Sequence, residues 1–94
     1  MLVNNIIWLP QIVDKLSWKH HVAPQEVEEV IFDNPLYRKV QKGYSPGEDL
    51  YAALGKTGTG RYLIVFFIYK TTNDALLISA RDMTKKEIRQ YEKK

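Results

Sequence analysis

Residues 62–69, Tyr-Leu-Ile-Val-Phe-Phe-Ile-Tyr, form the longest apolar run of the chain and decide its fold. The run is rich in β-branched and aromatic residues, and it is bounded by Gly60 on one side and by the polar residues 71–74 on the other. This pattern is typical of a strand buried on both faces rather than of a helix. The sequence therefore predicts a central strand from Arg61 to Lys70.

A second apolar run, residues 75–80, follows the polar residues 71–74. A connection this short predicts that the two strands pair antiparallel, which brings Arg61 and Arg81 to the same end of the sheet. If residues 71–74 form the loop, Ile64 lies opposite Arg81. The pattern leaves open whether the two arginines share a face, because one residue more or less in the loop turns every following side chain over.

Two helices are predicted ahead of the main strands, after a short first strand or an extended lead-in within residues 2–8. Pro10 suits the first position of a helix that runs to about His20, and Pro24 begins a second helix that ends before Pro35. Both segments carry apolar residues at helical spacing, so each helix has one face directed at the core.

Two further strands are predicted, one at residues 36–42, a basic stretch suited to a sheet edge, and one at residues 50–54. Residues 55–60 are rich in glycine and predict a hairpin connection into the central strand. Thr84 and Glu87 have the spacing of a capping box, so a last helix begins there. The prediction is an α+β fold of order (β)ααββββα, with an antiparallel sheet of four to five strands and the helices packed on one face.

The length of 94 residues predicts a single domain, residues 1–94. The chain has no cysteine, no apolar run long enough to span a membrane, and no basic region or cleavage site of a signal peptide in its first residues. We therefore expect a cytoplasmic protein without a membrane contact. The net charge of +3 is modest, but Lys85, Lys86 and Arg89 cluster on the last helix. They form either a solvated helix face or part of a nucleic-acid contact.

Neither a metal site nor a cofactor site is predicted. His20 and His21 are adjacent, so on a helix they point about 100° apart and do not share one metal ion. His20 is then either a packed, hydrogen-bonded histidine or a general acid or base in a cleft. Gly55 precedes Lys56 and Thr57 but leads into a strand, whereas a phosphate-binding loop leads into a helix.

Arg61, Arg81, Glu87 and Tyr91 form the candidate catalytic site, where a strand end meets the first turns of the last helix. Glu87 and Tyr91 are four residues apart and share one helix face. Arginines stabilise the negative charge that develops on a phosphate, and a carboxylate or a phenol moves protons, as RNA cleavage without a metal requires. The ordinary alternative is structural, with Glu87 capping its helix, Tyr91 packing on the sheet and the arginines paired with acids such as Asp82.

A set of residues spread over nearly the whole chain forms a more specific pattern. It consists of Trp8, Lys19, His20, Val22, residues 26–30, Asn34, Pro35, Gly55, Gly60, Arg61, residues 78–81, Met83, Thr84, Glu87 and Tyr91. Its most specific part is a strand that ends in Ser-Ala-Arg before a short charged helix that ends in Tyr. In these residues the chain resembles the BrnT family of bacterial toxins.

The resemblance implies a RelE-like fold and a toxin of a type II toxin-antitoxin system, acting as a metal-independent endoribonuclease that cleaves RNA and arrests translation. It implies neutralisation by a BrnA-like antitoxin of the ribbon-helix-helix kind, with promoter DNA bound only through the antitoxin complex. Transferred by position, it supports the four candidate catalytic residues named above. The residues expected to bind RNA are Lys19, His20, Lys85, Lys86 and Arg89.

Two departures from the family pattern are Leu9, where an acidic residue is common, and His21, where glycine follows the Lys-His pair. They leave room for a second interpretation, a non-catalytic toxin-like module that keeps the nucleic-acid or antitoxin contact without cleaving RNA. A third interpretation, a purely structural subunit, predicts no affinity for RNA.

Overall fold

The computed structural model describes residues 1–93, so Lys94, the last residue of the predicted domain, lies outside the described residues. The order of elements confirms the prediction (β)ααββββα. In chain order they are β1 (Ile6–Ile7), α1 (Pro10–Lys15), a π-helical turn (Leu16–His20), α2 (Pro24–Ile31), β2 (Leu36–Gln41), β3 (Leu50–Lys56), β4 (Tyr62–Tyr69), β5 (Ala75–Asp82) and α3 (Lys85–Glu92).

The five strands form one sheet in the order β1-β5-β4-β3-β2. Strand β4 lies in the middle, as the apolar run predicts, and Leu63, Ile64 and Val65 are fully buried because both faces of β4 are covered there. The basic strand β2 lies at the predicted edge. All neighbours pair antiparallel except β1, which pairs parallel with β5 at the opposite edge.

The register of β4 against β5 places Ile64 opposite Arg81, as predicted. The hairpin itself is one residue longer than expected, because Tyr69 rather than Lys70 pairs with Ala75. A β-bulge at Ile78, which has no partner between Phe66 and Phe67, compensates for that extra residue. Beyond the bulge the register returns to the predicted one.

The proline and cap signals place the N-terminal helices where the sequence predicts them. Pro10 and Pro24 each occupy the first turn of a helix. After α1 the helix widens into the π turn, which ends at His21 in the left-handed conformation with φ 53°. Asn34 is also left-handed, with φ 52°, and separates α2 from β2.

The helices lie on both faces of the sheet, so the prediction that they pack on one face is wrong. The N-terminal helices pack on the face of β4 that carries Leu63, Val65 and Phe67. Helix α3 packs on the opposite face, against a smaller core that includes Leu54 and Ile64. The physical reason is that β4 is apolar on both faces, and one layer of helices leaves one of those faces in water. No helix in residues 1–93 is long and apolar enough to cross a membrane.

Candidate functional site

Arg81 and Glu87 form a two-pronged ion pair at the junction of β5 and α3. Arg81 Nη1 donates to Glu87 Oε1 at 2.8 Å, and Nη2 donates to Oε2 at 3.0 Å. The guanidinium also lies over the Phe66 ring, 5.5 Å from its centroid. The Arg81 side chain is 36% exposed and that of Glu87 is 14% exposed. The pair is therefore held rigidly, with the arginine as its solvent-facing member.

The cap of α3 positions the carboxylate of this pair. Glu87 Oε1 accepts from the Thr84 backbone N–H at 2.8 Å, and Thr84 Oγ1 accepts from the Glu87 N–H at 3.2 Å. This is the predicted capping box, and it is confirmed. Because the same carboxylate caps the helix and binds the guanidinium, the start of α3 sets the orientation of Arg81.

The ion pair controls the protonation state of Glu87. Its hydrogen bonds with Arg81 are the main cause that lowers the pKa of Glu87 from 4.5 to about 2, with a smaller effect from the Thr84 N–H. The same pairing raises the pKa of Arg81. Glu87 is thus ionised at neutral pH and is a weak base while the pair is closed. In this state its role is to hold Arg81 in place.

Tyr91 lies one turn beyond Glu87 and packs on the same side of the sheet. Its ring meets that of Tyr62 edge to face, with 6.1 Å between the centroids. The Tyr62 hydroxyl donates to Glu92 Oε2 at 2.9 Å, and Lys56 Nζ lies 5.0 Å from the centre of the Tyr62 ring. The Arg81 pair is therefore bordered by aromatic rings and a further cation.

Arg61 lies in a separate network, among the N-terminal helices. Its Nε donates to Asp82 Oδ1 at 2.8 Å, and its Nη1 lies 3.1 Å from Glu26 Oε1. The other contacts are to the backbone at the end of the π turn, from Nη1 to the His21 carbonyl at 2.7 Å and from Nη2 to the His20 carbonyl at 3.0 Å. The Asp82 carboxylate, and to a smaller extent the Glu26 carboxylate, raises the pKa of Arg61. Arg61 thus caps the C-terminal end of the π turn that follows α1.

The two arginines lie at the same end of the sheet, as predicted, but on opposite faces. Arg81 pairs with Ile64 and faces α3, whereas Arg61 lies two residues before Leu63 and faces the N-terminal helices. Asp82 connects them, since its carbonyl accepts from Arg81 Nη1 at 3.0 Å while its carboxylate accepts from Arg61. The structure therefore brings Arg81, Glu87 and Tyr91 together and separates Arg61 from them.

The residues expected to bind RNA also divide between the two faces. Lys85, Lys86 and Arg89 are exposed on α3, close to the Arg81 pair. Lys19 is exposed and His20 is half-buried in the π turn, whose end Arg61 holds. Cationic side chains thus lie on both sides of the sheet end that carries Asp82.

Two residues beside the site, Phe66 and Arg38, are not among those predicted from the sequence. Phe66 could have been found, because it lies two residues from Ile64 and the predicted register puts it next to Arg81. Arg38 could not, since its Nη1 reaches Gln90 Oε1 on α3 at 2.9 Å across 52 positions of sequence. Among residues 1–93, no three His, Cys, Asp or Glu side chains are grouped so that they could hold a metal ion.

A comparison with family models identifies the chain. The model described as "Ribonuclease toxin, BrnT, of type II toxin-antitoxin system" matches residues 8–87. No curated protein matches the chain. The matched span includes Arg61, Arg81 and Glu87 and ends before Tyr91. The chain therefore belongs to the BrnT family, the ribonuclease toxins of type II toxin-antitoxin systems.

Proposed function

We propose that the chain is a metal-independent endoribonuclease of the cytoplasm that arrests translation, with its cleavage centre at Arg81, Glu87 and Tyr91. The observation that carries this assignment is the Arg81–Glu87 pair, a guanidinium oriented by a helix cap and still 36% exposed. A fixed, accessible guanidinium is suited to meet the negative charge of a phosphate as it develops. The neighbouring cations Lys85 and Lys86 supply attraction for the RNA backbone.

In the proposed reaction the ribose 2′-oxygen attacks the adjacent phosphorus and the bond to the 5′-oxygen breaks. The 2′-hydroxyl loses its proton, the 5′-oxygen gains one, and the product carries a 2′,3′-cyclic phosphate. Arg81 stabilises the charge on the non-bridging oxygens. When a phosphate competes for Arg81, the Glu87 carboxylate loses its main partner, its pKa rises, and it becomes able to accept the 2′-proton. The Tyr91 phenol is the proposed proton donor to the 5′-oxygen.

Arg61 is assigned a positioning role rather than a contact with the reacting phosphate. Its hydrogen bonds end on His20, His21, Glu26 and Asp82, which together keep the π turn against the sheet. This arrangement presents Lys19 and His20 at the sheet end where Asp82 joins the two networks. We propose that they bind RNA there.

The experiment that tests the assignment is incubation of the purified chain with RNA in EDTA. Cleavage with 2′,3′-cyclic phosphate ends is the expected result, and a requirement for a divalent cation would refute metal independence. The Glu87→Gln variant is a matched probe of the reaction, because it keeps one acceptor oxygen for Arg81 and for the Thr84 N–H but cannot accept the proton. We expect Glu87→Gln to bind RNA as the parent does and to cleave it roughly a hundredfold more slowly.

The second candidate function is a toxin-like module that binds without cleaving. It is favoured by one observation, the closed ion pair in which Glu87 has a pKa of about 2 and is a poor base. Under this alternative the parent chain binds RNA or the antitoxin and leaves RNA intact. The same incubation in EDTA, combined with an RNA-binding measurement, distinguishes the two functions.

The proposed partner is a BrnA-like antitoxin of the ribbon-helix-helix kind, with promoter DNA contacted only through the antitoxin complex. Membership of a type II toxin-antitoxin family supports a protein partner of this role. Co-expression with the product of the adjoining reading frame is expected to restore growth and to copurify with the chain. A chain that is harmless alone and binds no such product would count against the assignment.

A further inference from the structure

Within residues 1–93, the sheet face that carries α3 is covered at one end only. Helix α3 packs over Leu54, Ile64 and Met83. Towards the other end, four aliphatic side chains lie in register across four strands of the same face. They are Leu50 on β3, Ile68 on β4, Leu76 on β5 and Ile7 on β1.

The next row toward α3 contains Phe66, which faces the same side because it lies two residues from Ile68. Leu77 and Ala80 belong to the core on the other face, so the bulge residue Ile78 between them lies on this face, beside Phe66. Ile78 and Ile7 are each 39% exposed. Leu50, Ile68, Leu76 and Phe66 are half-buried. These six residues, Ile7, Leu50, Phe66, Ile68, Leu76 and Ile78, are called the open face below.

The border of the open face is mainly basic. Arg81 lies over Phe66 on the side toward α3, where Glu87 is its acidic partner. Arg38 pairs with Ala52 in the row of Phe66 and is exposed. At the far end, Lys42 and the fully exposed Tyr44 line a depression with Leu50 and Ile68, where Glu48 is the acidic residue. An apolar surface with this border is complementary to a partner segment that is apolar on one side and acidic at its flanks.

We propose that the open face is the docking surface for an acidic amphipathic segment of the antitoxin, and that this segment extends to Arg81. The proposal rests on the proposed function in one respect, that the chain is a toxin with a protein antagonist. Its consequence is that the antitoxin neutralises the chain by covering the guanidinium itself. An acidic side chain of the partner then competes with the phosphate for Arg81.

Two other occupants fit the open face less well. A second copy of the chain docked through the same face would bring two basic borders together, which is unfavourable for a chain of net charge +3. Single-stranded RNA stacks its bases on aromatic rings, whereas five of the six residues of the open face are aliphatic and the ring of the sixth, Phe66, lies beneath Arg81. An acidic protein segment satisfies both the apolar row and the basic border.

The test measures binding of the purified antitoxin, the product of the adjoining reading frame, by calorimetry. Ile78→Glu places a negative charge in the open face and is expected to weaken binding by at least roughly tenfold. Ile78→Lys removes the same apolar contact but introduces a charge opposite to that of an acidic partner. Its loss of affinity for the antitoxin is therefore expected to be clearly smaller than that of Ile78→Glu. Ile7→Glu is the second variant and is expected to act as Ile78→Glu does. Thermal melting confirms that each variant is folded.

Phe32→Glu is the matched control, because Phe32 is 52% exposed at the end of α2 on the opposite side of the sheet. We expect it to bind the antitoxin within about twofold of the parent. Equal binding by the parent and the glutamate variants would overturn the proposal, as would a parent chain that does not bind the antitoxin. A glutamate variant that changes only the oligomeric state would assign the open face to a second copy. One that loses RNA binding alone would assign it to RNA.

The docking proposal and the ribonuclease proposal can be refuted separately. If the open face binds the antitoxin as expected but the parent leaves RNA intact, the docking assignment stands and the ribonuclease assignment fails. If Ile78→Glu and the parent both cleave RNA and bind the antitoxin equally, the reverse holds.

Discussion

The Arg81→Ala variant separates a contribution to folding from a contribution to catalysis. The substitution removes both hydrogen bonds from the guanidinium to Glu87 and leaves a carboxylate that is only 14% exposed without its main partner. Some loss of stability is therefore expected. The question is whether the loss of activity exceeds it.

The structure determines how much folding free energy the Arg81→Ala variant is expected to lose. The pKa of Glu87 falls from 4.5 to about 2, and the gap corresponds to about 3 kcal/mol at about 1.4 kcal/mol per pH unit. Because Arg81 is 36% exposed and the Thr84 N–H supplies part of the effect, solvent screening reduces the share of Arg81 to about 1–2 kcal/mol. A domain of this size then melts roughly 5–15 °C lower. Loss of a donor that meets a developing charge costs about 2.7–4 kcal/mol of transition-state stabilisation, or roughly a hundred- to a thousandfold in rate.

The assay compares thermal melting with single-turnover RNA cleavage in EDTA, both measured below the melting temperature of the variant. Arg81→Lys is expected to recover part of the stability and little of the rate, because one ammonium does not reproduce the planar pair of donors. Lys15→Ala is the control for the loss of one surface cation, since Lys15 is exposed on α1 and belongs to neither network. Cleavage by folded Arg81→Ala within a few fold of the parent would show that Arg81 is a scaffold residue and that the reasoning is wrong.

Three further predictions concern stability. The pKa of Glu87 in the folded protein, about 2, lies below its ordinary value of 4.5. The contribution of Glu87 to the free energy of unfolding is therefore present above pH 4.5 and is lost as the pH falls toward 2. Acid titration of the parent and of Glu87→Gln is expected to show a smaller loss of stability in the variant. Phe67→Ala is expected to cost roughly 3–5 kcal/mol in urea unfolding, because Phe67 is fully buried, and a cost below about 1 kcal/mol would contradict that packing. Arg61→Ala is expected to lower the free energy of unfolding by roughly 2–3 kcal/mol and to make the π turn sensitive to proteolysis. The folded variant is expected to cleave RNA at a rate within about tenfold of the parent rate. Unchanged stability with abolished cleavage would instead make Arg61 a catalytic residue.

The elements predicted correctly from the sequence are those whose signals are local. The apolar run of residues 62–69 gives β4 its central position, because it is the longest segment whose side chains are apolar on both faces. The prolines at Pro10 and Pro24, and the Thr84 to Glu87 spacing, act within one helical turn and place the helix starts. Local signals of this kind predict the structure correctly because the tertiary contacts favour the same conformation.

The arrangement of the site depends on information that no local signal contains. The face on which Arg61 lies depends on the pleat of β4, and its partners come from the π turn and from Asp82, 41 and 21 positions away. The position of α3 depends on which of two apolar sheet faces remained uncovered. The Ile78 bulge is a special case, because the predicted register at Arg81 is right only since the bulge cancels the extra residue of the hairpin.

The junction at Asp82 has a consequence for when a newly made chain becomes harmful to the cell that makes it. Strand β5 and helix α3 are the last elements of the fold in chain order, and they supply Asp82, Arg81 and Glu87. While the ribosome tunnel still holds them, Arg61 lacks its closest carboxylate and the guanidinium of Arg81 has no helix cap to orient it. Under the proposed function, a chain is therefore expected to cleave RNA only after β5 and α3 have joined the sheet, so the last folding step also completes the toxin.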